Sequence, residues 1–147
     1  MMNKSRTTAL IVCFMIACGS AIGEGADWCN LGVFGPYVYY YDSESVRHES
    51  NGINVWVKYV VTSEESRNWV LQNRNKNGWS TKGYESYAQS LALWIIDCSN
   101  SKWSALKAND YDTGGRPLAS MPYSKKVHWL EIMPTSSIDV LRKIVCR

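Results

Sequence analysis

Apolar and polar positions alternate most clearly between Ile53 and Thr62. Ile53, Val55, Val57, Tyr59 and Val61 fall on one side; Asn54, Trp56, Lys58, Val60 and Thr62 fall on the other. A period of two predicts a strand with one face on a core. The dipeptide Asn51-Gly52 just before it is a hairpin turn signal. Leu91-Ala92-Leu93-Trp94-Ile95-Ile96-Asp97-Cys98 has no such alternation. It is apolar almost throughout, which predicts a central strand buried on both faces. It is too short to cross a bilayer, which takes about 20 apolar residues. This strand is predicted to run from Tyr84 to Cys98. Ser99-Asn100-Ser101 then turns, and Lys102–Ala108 pairs back as a hairpin partner. Upstream, Asp27–Phe34 and Tyr37–Asp42 read as two further strands around the turn signal Gly35-Pro36.

Between these runs lie polar excursions. Ser63-Glu64-Glu65-Ser66 is the start of a short helix through Trp69-Val70-Leu71. Asn73–Gly83, rich in Asn, Lys, Gly and Ser, reads as a mobile loop with Trp79 as an exposed aromatic. Asp110–Arg116 reads as a Gly-rich loop. Residues 117–134 are irregular and punctuated by proline, with a short edge strand over Val127–Ile132. The chain closes on a helix: Ser136 is its cap, Asp139 suits its N-terminal dipole, and Ile138, Leu141, Ile144 and Val145 recur at helical spacing. Strands first and one helix last, with no alternation of strand and helix, predict an α+β fold. Its core is an antiparallel multi-stranded sheet with one C-terminal helix packed on it.

The N-terminus changes this picture of a single ordinary domain. Lys4 and Arg6 precede the apolar run Ala9–Ala17, and small residues follow. That order is a secretory signal, whose apolar core typically spans about 7–15 residues. Residues 1–26 are therefore assigned to the signal and a short spacer, and residues 27–147 to the mature domain. Met15-Ile16-Ala17-Cys18 resembles a bacterial lipobox, in which Cys18 would carry lipid and attach the protein to the outer membrane. The competing reading is a soluble product cut after Ala21 or Gly23. Removing Lys4 and Arg6 leaves 14 basic residues against 13 acidic ones, so the mature domain is almost neutral. No basic stripe is present, which argues against a nucleic-acid partner.

Three cysteines remain in the mature domain: Cys29, Cys98 and Cys146. Three thiols make one bridge and one leftover in an exported protein. Cys98 ends the buried strand and Cys146 ends the last helix, which favours that pair; Cys29 with either one is the alternative. No Cys-x-x-Cys is present, and His48 and His128 lie far apart, which argues against zinc. Asp112-Thr113-Gly114 spells the aspartic-protease triplet, but that chemistry needs two aspartates sharing a proton. One copy in a Gly-rich stretch reads as a turn. His48 reads as a solvated surface residue. A Cys29–His128 nucleophile pair has no local support, and Glu64-Glu65 reads as a helix N-terminal charge pair. The expectation is no enzyme and no cofactor. Seven Trp and nine Tyr are unusual for 147 residues. Rings with polar tips suit contact surfaces, which makes Tyr37, Tyr39, Tyr41, Trp56 and Trp79 the candidate binding surface. Tyr40 points away from Tyr39 and Tyr41.

The order of several short pieces carries a family resemblance. Trp28 leads. Tyr40-Tyr41-Asp42-Ser43-Glu44-Ser45-Val46 and Val55-Trp56-Val57-Lys58-Tyr59-Val60 follow. Then come Tyr84-Glu85, Ile95-Ile96-Asp97-Cys98, Lys102-Trp103, Tyr111-Asp112 and Gly114. Trp129-Leu130-Glu131-Ile132-Met133-Pro134-Thr135-Ser136 and Ile144-Val145-Cys146 close the series. From Trp28 to Cys146 the chain resembles the surface-adhesin protein E-like family of bacterial exported proteins. The resemblance implies an antiparallel sheet with a C-terminal helix tethered by a disulfide, at positions matching Cys98 and Cys146. It implies a place in the bacterial envelope: the periplasm, the outer membrane or the cell surface. The family's namesake is an outer-membrane lipoprotein that binds host matrix and plasma proteins. Cys29 and the long 63–83 excursion depart from the family pattern.

These readings converge on a non-enzymatic, exported envelope protein that acts as an adhesin-like protein-binding module. Its partner would be a host or envelope protein, with an exposed sheet edge also allowing a homodimer. A periplasmic small-ligand carrier is the rival from another class, and it requires a closed apolar pocket between sheet and helix. A structural envelope protein is the third.

Overall fold

The computed structural model describes residues 25–147. The signal segment, Cys13 and Cys18 lie outside the described residues. Five strands precede the middle of the sheet or form it: β1 (Trp28–Phe34), β2 (Tyr37–Asp42), β3 (Arg47–Glu49), β4 (Gly52–Val60) and β5 (Tyr87–Asp97). β6 (Lys102–Asp112), β7 (Pro117–Met121) and β8 (Leu130–Glu131) complete it. All pairings are antiparallel, in the order β1-β2-β4-β5-β6-β7, with β3 also on β4 and β8 also on β6. The continuous apolar run is thus the second half of β5, at the centre of the sheet, where Trp94, Ile95 and Ile96 are all buried. The hairpin at Asn51-Gly52 joins β3 to β4. Gly52 has φ +153°, and a Cβ there would meet the Ile96 carbonyl oxygen at 2.6 Å, so the close approach of these strands requires glycine.

The register sorts side chains into two faces. Ile53, Val55, Val57 and Tyr59 of β4 lie opposite Ile96, Trp94, Ala92 and Ser90 of β5. This face is the one that helices cover. α2 (Ser137–Val145) lays Ile138, Leu141 and Val145 on Val55, Val57 and Ile96. Val55, Val57, Ile96 and Leu141 are completely shielded from solvent. The start of α2 is the predicted one: Ser136 Oγ accepts from the Asp139 N–H at 3.3 Å. Asp139 in turn accepts from Lys143 Nζ at 2.8 Å, the Thr135 N–H at 3.2 Å and Arg142 at 3.1 Å. These donors hold its carboxyl well below its ordinary value of 3.8, at about 2.

Three sequence expectations are corrected. The helix from Ser63 does not stop near Leu71; α1 spans Glu64–Lys76, with Ser63 Oγ accepting from the Ser66 N–H. Residues 73–76 are thus the last turn of a helix and 77–83 an ordered turn, not a loop throughout. A 3-10 turn at Tyr84–Ser86 precedes β5, which begins at Tyr87. β6 extends through Asp112, so the Gly-rich loop shrinks to a turn, and Pro117–Met121 beyond it pairs as β7. Pro117 does not prevent this, because the strand lies at the sheet edge, where a missing N–H costs no ladder bond.

Candidate functional site

The five candidate aromatics occupy three places. Tyr39 and Tyr41 pair with Tyr59 and Val57 on the helix-covered face. Both are partly buried and pack against the core beneath α2. Tyr37 lies on the same face one step further along β2, toward α1. Trp56 pairs with Leu93 on the opposite face, where Trp28, Tyr40 and Lys58 also lie. There the Lys58 ammonium sits 4.4 Å from the Trp28 ring and 5.1 Å from the Tyr40 ring, and burial lowers its pKa. Trp79 follows α1 and is 56% exposed. The structure therefore brings Tyr37 and Trp79 to one cavity, keeps Tyr39 within a packed aromatic row and Tyr41 against the core beneath α2, and sets Trp56 apart.

That row explains why so many rings occur. Tyr37, Tyr39, Tyr59, Trp94 and Trp103 touch in sequence, with centroids 5.1–6.5 Å apart. At one end the row meets α2. At the other it opens into a cavity of about 170 Å³ beneath α1. The floor of that cavity is polar. Ser90 and Asp110 are register partners on β5 and β6. Ser90 Oγ donates to Asp110 Oδ1 at 2.5 Å, and Tyr84 Oη donates to Asp110 Oδ2. Tyr87 Oη lies 2.7 Å from Ser90 Oγ. Burial raises the phenol pKa values of Tyr37, Tyr84 and Tyr87, and raises that of Tyr59 to about 12. For Tyr84 the Asp110 carboxylate adds to the effect of burial. All four rings are accordingly neutral at physiological pH.

Arg74 closes the cavity. Its guanidinium stacks 3.8 Å from the Tyr84 ring centroid and 5.7 Å from that of Trp79. Its Nε donates to the Ser80 carbonyl at 2.8 Å, and the Trp79 N–H donates to the Arg74 carbonyl at 2.9 Å. One helical residue thereby fixes the turn that presents Trp79. A second exposed indole, Trp69 (49%), projects from α1 beside a notch at Gly35, Pro36, Glu65 and Ser66. Sequence reasoning singled out Trp79 and Tyr37 but missed Arg74, Ser90, Asp110, Tyr84 and Tyr87. The one available signal was Ser90, a polar residue in phase with the buried Ala92, Trp94 and Ile96.

The far end of the sheet is built differently. Cys98 and Cys146 form a disulfide with an S–S distance of 2.05 Å, tying the last turn of α2 to the end of β5. Cys29 is half-buried and free, with its thiol 3.9 Å from Asp27 Oδ2. His48 and His128 are both exposed. The Asp112-Thr113-Gly114 triplet is a turn: Asp112 is buried and accepts from the Gly114 and Arg116 N–H groups and from Arg116 Nε. These bonds, led by the Arg116 N–H, lower its pKa. Among the described residues no group of three or more His, Cys, Asp or Glu side chains is placed to hold a metal.

The family profile described as surface-adhesin protein E matches residues 28–147. The chain belongs to the surface-adhesin protein E family. No curated protein sequence matches it. Among solved structures, Haemophilus influenzae protein E is similar at 17% identity with a TM-score of 0.46, over 78% of this chain and 86% of that one. A second crystal form of the same protein gives 20% identity and a TM-score of 0.44, over 78% and 89%. As a member of the surface-adhesin protein E family, this chain has the tethered C-terminal helix and antiparallel sheet in place. The helical excursion over residues 63–83 covers the aromatic cavity at the opposite end.

Proposed function

We propose that this protein is a non-enzymatic, exported adhesin-like module. In this reading residues 1–26 direct export, residues 27–147 form the mature domain, and the protein acts at the envelope or cell surface by binding another protein. Membership of a surface-adhesin family supports the class. The observation that carries the site is the presentation of two indoles, Trp69 and Trp79, on a helical excursion braced by Arg74. Exposed tryptophan on a rigid support has the character of a binding hot spot, since it offers large contact area with little side-chain entropy to lose. Tyr37 adds to the contact at the Trp79 side, and Trp56 with Trp28 marks a separate patch on the other face. Tyr39 contributes by holding the row in place, and Tyr41 by packing against the core beneath α2. The carrier alternative requires an enclosed apolar space under α2, but that region is filled by Leu141, Val55 and Val57.

The test is attachment. Beads coated with the protein are expected to bind immobilised extracellular-matrix protein, and a Trp69→Ala/Trp79→Ala double variant with an unchanged circular-dichroism spectrum is expected to lose at least about tenfold in attachment. Equal attachment by both proteins would remove α1 from the contact.

A further inference from the structure

The cavity beneath α1 has an internal composition that a protein-contact surface does not need. We propose that it is a binding site for one pyranose sugar, presented as the terminal unit of a glycan. Three observations point there. First, its two charged groups are of opposite sign, with Asp110 in the polar floor and Arg74 beside it. Arg74 Nη1 lies 3.7 Å from Asp110 Oδ2, too far for a hydrogen bond, and the two side chains retain 17% and 20% of their exposure. Second, among the described residues neither terminal nitrogen of Arg74 has an acceptor within hydrogen-bonding distance; only Nε is engaged. Third, the wall beside them is aromatic, and Trp79 offers an open indole at the rim.

The charge pair selects the ligand class. A cationic ligand meets Arg74 at contact distance, and an anionic one meets Asp110. A neutral ligand with adjacent hydroxyls satisfies both: one hydroxyl oxygen accepts from the Arg74 fork and its neighbour donates to Asp110. Asn73 lines the same cavity and supplies both a donor and an acceptor. The C–H face of a six-membered sugar ring then lies on the Trp79 indole, an apolar surface with a defined plane. The size agrees. A space of about 170 Å³ is that of about six waters at roughly 30 Å³ each, which suits a single ring with its hydroxyls and excludes a disaccharide. The site is separate from the Trp69 notch but shares Trp79 and Arg74 with the proposed protein contact, so Asp110→Asn, which lies outside that contact, is the variant that distinguishes the two.

The test uses the protein purified from an exporting host and the methyl glycosides of glucose, galactose, mannose and N-acetylglucosamine. Saturation-transfer NMR and tryptophan fluorescence are read up to about 50 mM, the range for a millimolar monosaccharide site. At least one glycoside is expected to bind saturably, with affinity reduced about tenfold by Trp79→Ala and further by Asp110→Asn. Trp79→Ala removes an exposed side chain, so it keeps the test valid if Asp110→Asn does not fold. No binding by any glycoside overturns the proposal. So does binding that survives Trp79→Ala, or tighter binding of glycine or alanine, whose zwitterions also match the charge pair. Loss of sugar binding with matrix attachment intact in Asp110→Asn separates this site from the proposed adhesive function.

Discussion

The two ends of the helix-covered sheet face are closed by helices of opposite character. α2 is a lid of apolar side chains: Ile138, Leu141 and Val145 lie on the sheet, and a disulfide holds the last turn. α1 contributes one buried residue, Val70, with Leu71 packed partly beside it, and apart from the exposed Trp69 the rest of the helix is polar. What it covers is a network of hydroxyls, one carboxylate and neutral phenols. The first end needs only hydrophobic burial and a covalent tie. The second needs every polar group in register, because a buried polar atom without a partner is costly. The lesson is a division of labour. The tethered end secures the fold, which frees the other end to keep an open cavity and two exposed indoles.

High pH attacks the α1 end and is expected to have the largest effect. Tyr37, Tyr59, Tyr84 and Tyr87 all have folded pKa values above the ordinary phenol value of 10.0. Their contribution is therefore fully present below pH 10 and is lost as pH rises through the folded values. For Tyr59, at about 12, the loss alone is about 3 kcal/mol at 1.36 kcal/mol per unit. The other three raised phenols lose stability in the same direction, which cuts deeply into the margin of a domain stable by roughly 5–15 kcal/mol. Exposed tyrosines such as Tyr123 contribute a separate tyrosinate signal; the absorbance of the four covered rings is expected to rise in one cooperative step together with loss of circular dichroism. Ionisation of the whole tyrosine complement with circular dichroism unchanged would show that the four phenols are not sealed.

The covalent tie comes next. Replacing Cys98 and Cys146 by alanine releases a closure spanning 48 residues, which is worth on the order of 4 kcal/mol in the chain-entropy account. Urea unfolding measures it. Hydrogen exchange in the double variant is expected to rise first in α2 and only later around Tyr84. Acid addresses the same end: Asp139, at about 2 against an ordinary 3.8, stabilises α2 above about pH 4 and stops doing so as pH falls through 2. Within the core, Leu141→Ala is expected to lose about 3 kcal/mol, since the site is completely buried. Val70→Ala beneath α1 should lose only about 1–2 kcal/mol, because fewer methyl groups leave and the adjoining space is already open.

The same contrast accounts for what could be read in the sequence. The α2 end is written in periodicities. Residues 53–61 alternate, 91–96 are continuously apolar, and 138–145 repeat at helical spacing, so strands and helix follow from local pattern; Cys98 and Cys146 at their ends favoured the tether, with Cys29 left as an alternative partner. The α1 end is not. Asn73, Arg74, Asn75 and Lys76 carry no apolar stripe, and their helix persists because Arg74 is bonded across to Ser80 and stacked on Tyr84. Ser90 and Asp110 stand 20 residues apart and meet only through the β5–β6 register, which includes a shift between Tyr87 and Gln89. β7 was hidden by Pro117, whose edge position is a property of the assembled sheet. Tyrosines 37, 39 and 41 were visible as a cluster. Their division between core row and cavity depends on which helix lies above each.

The smallest expected effect on stability is the most informative about function. Trp79 is anchored through its backbone: its N–H bonds to the Arg74 carbonyl, and Ser80 next to it receives Arg74 Nε. Neither bond involves the indole. Trp79 is 56% exposed, and the Arg74 guanidinium lies 5.7 Å from its ring centroid. Trp79→Ala should therefore change unfolding free energy by no more than about 0.5 kcal/mol, the usual range for a surface substitution. A loss well above 1 kcal/mol would mean that the indole plugs the cavity and protects the Asp110 network. In that case the α1 end would be a second lid, closed by an aromatic where α2 uses leucine and a disulfide. A neutral result with lost binding instead marks a large apolar ring held in solvent on a rigid turn at no benefit to the fold, which is the physical signature of a residue kept for contact.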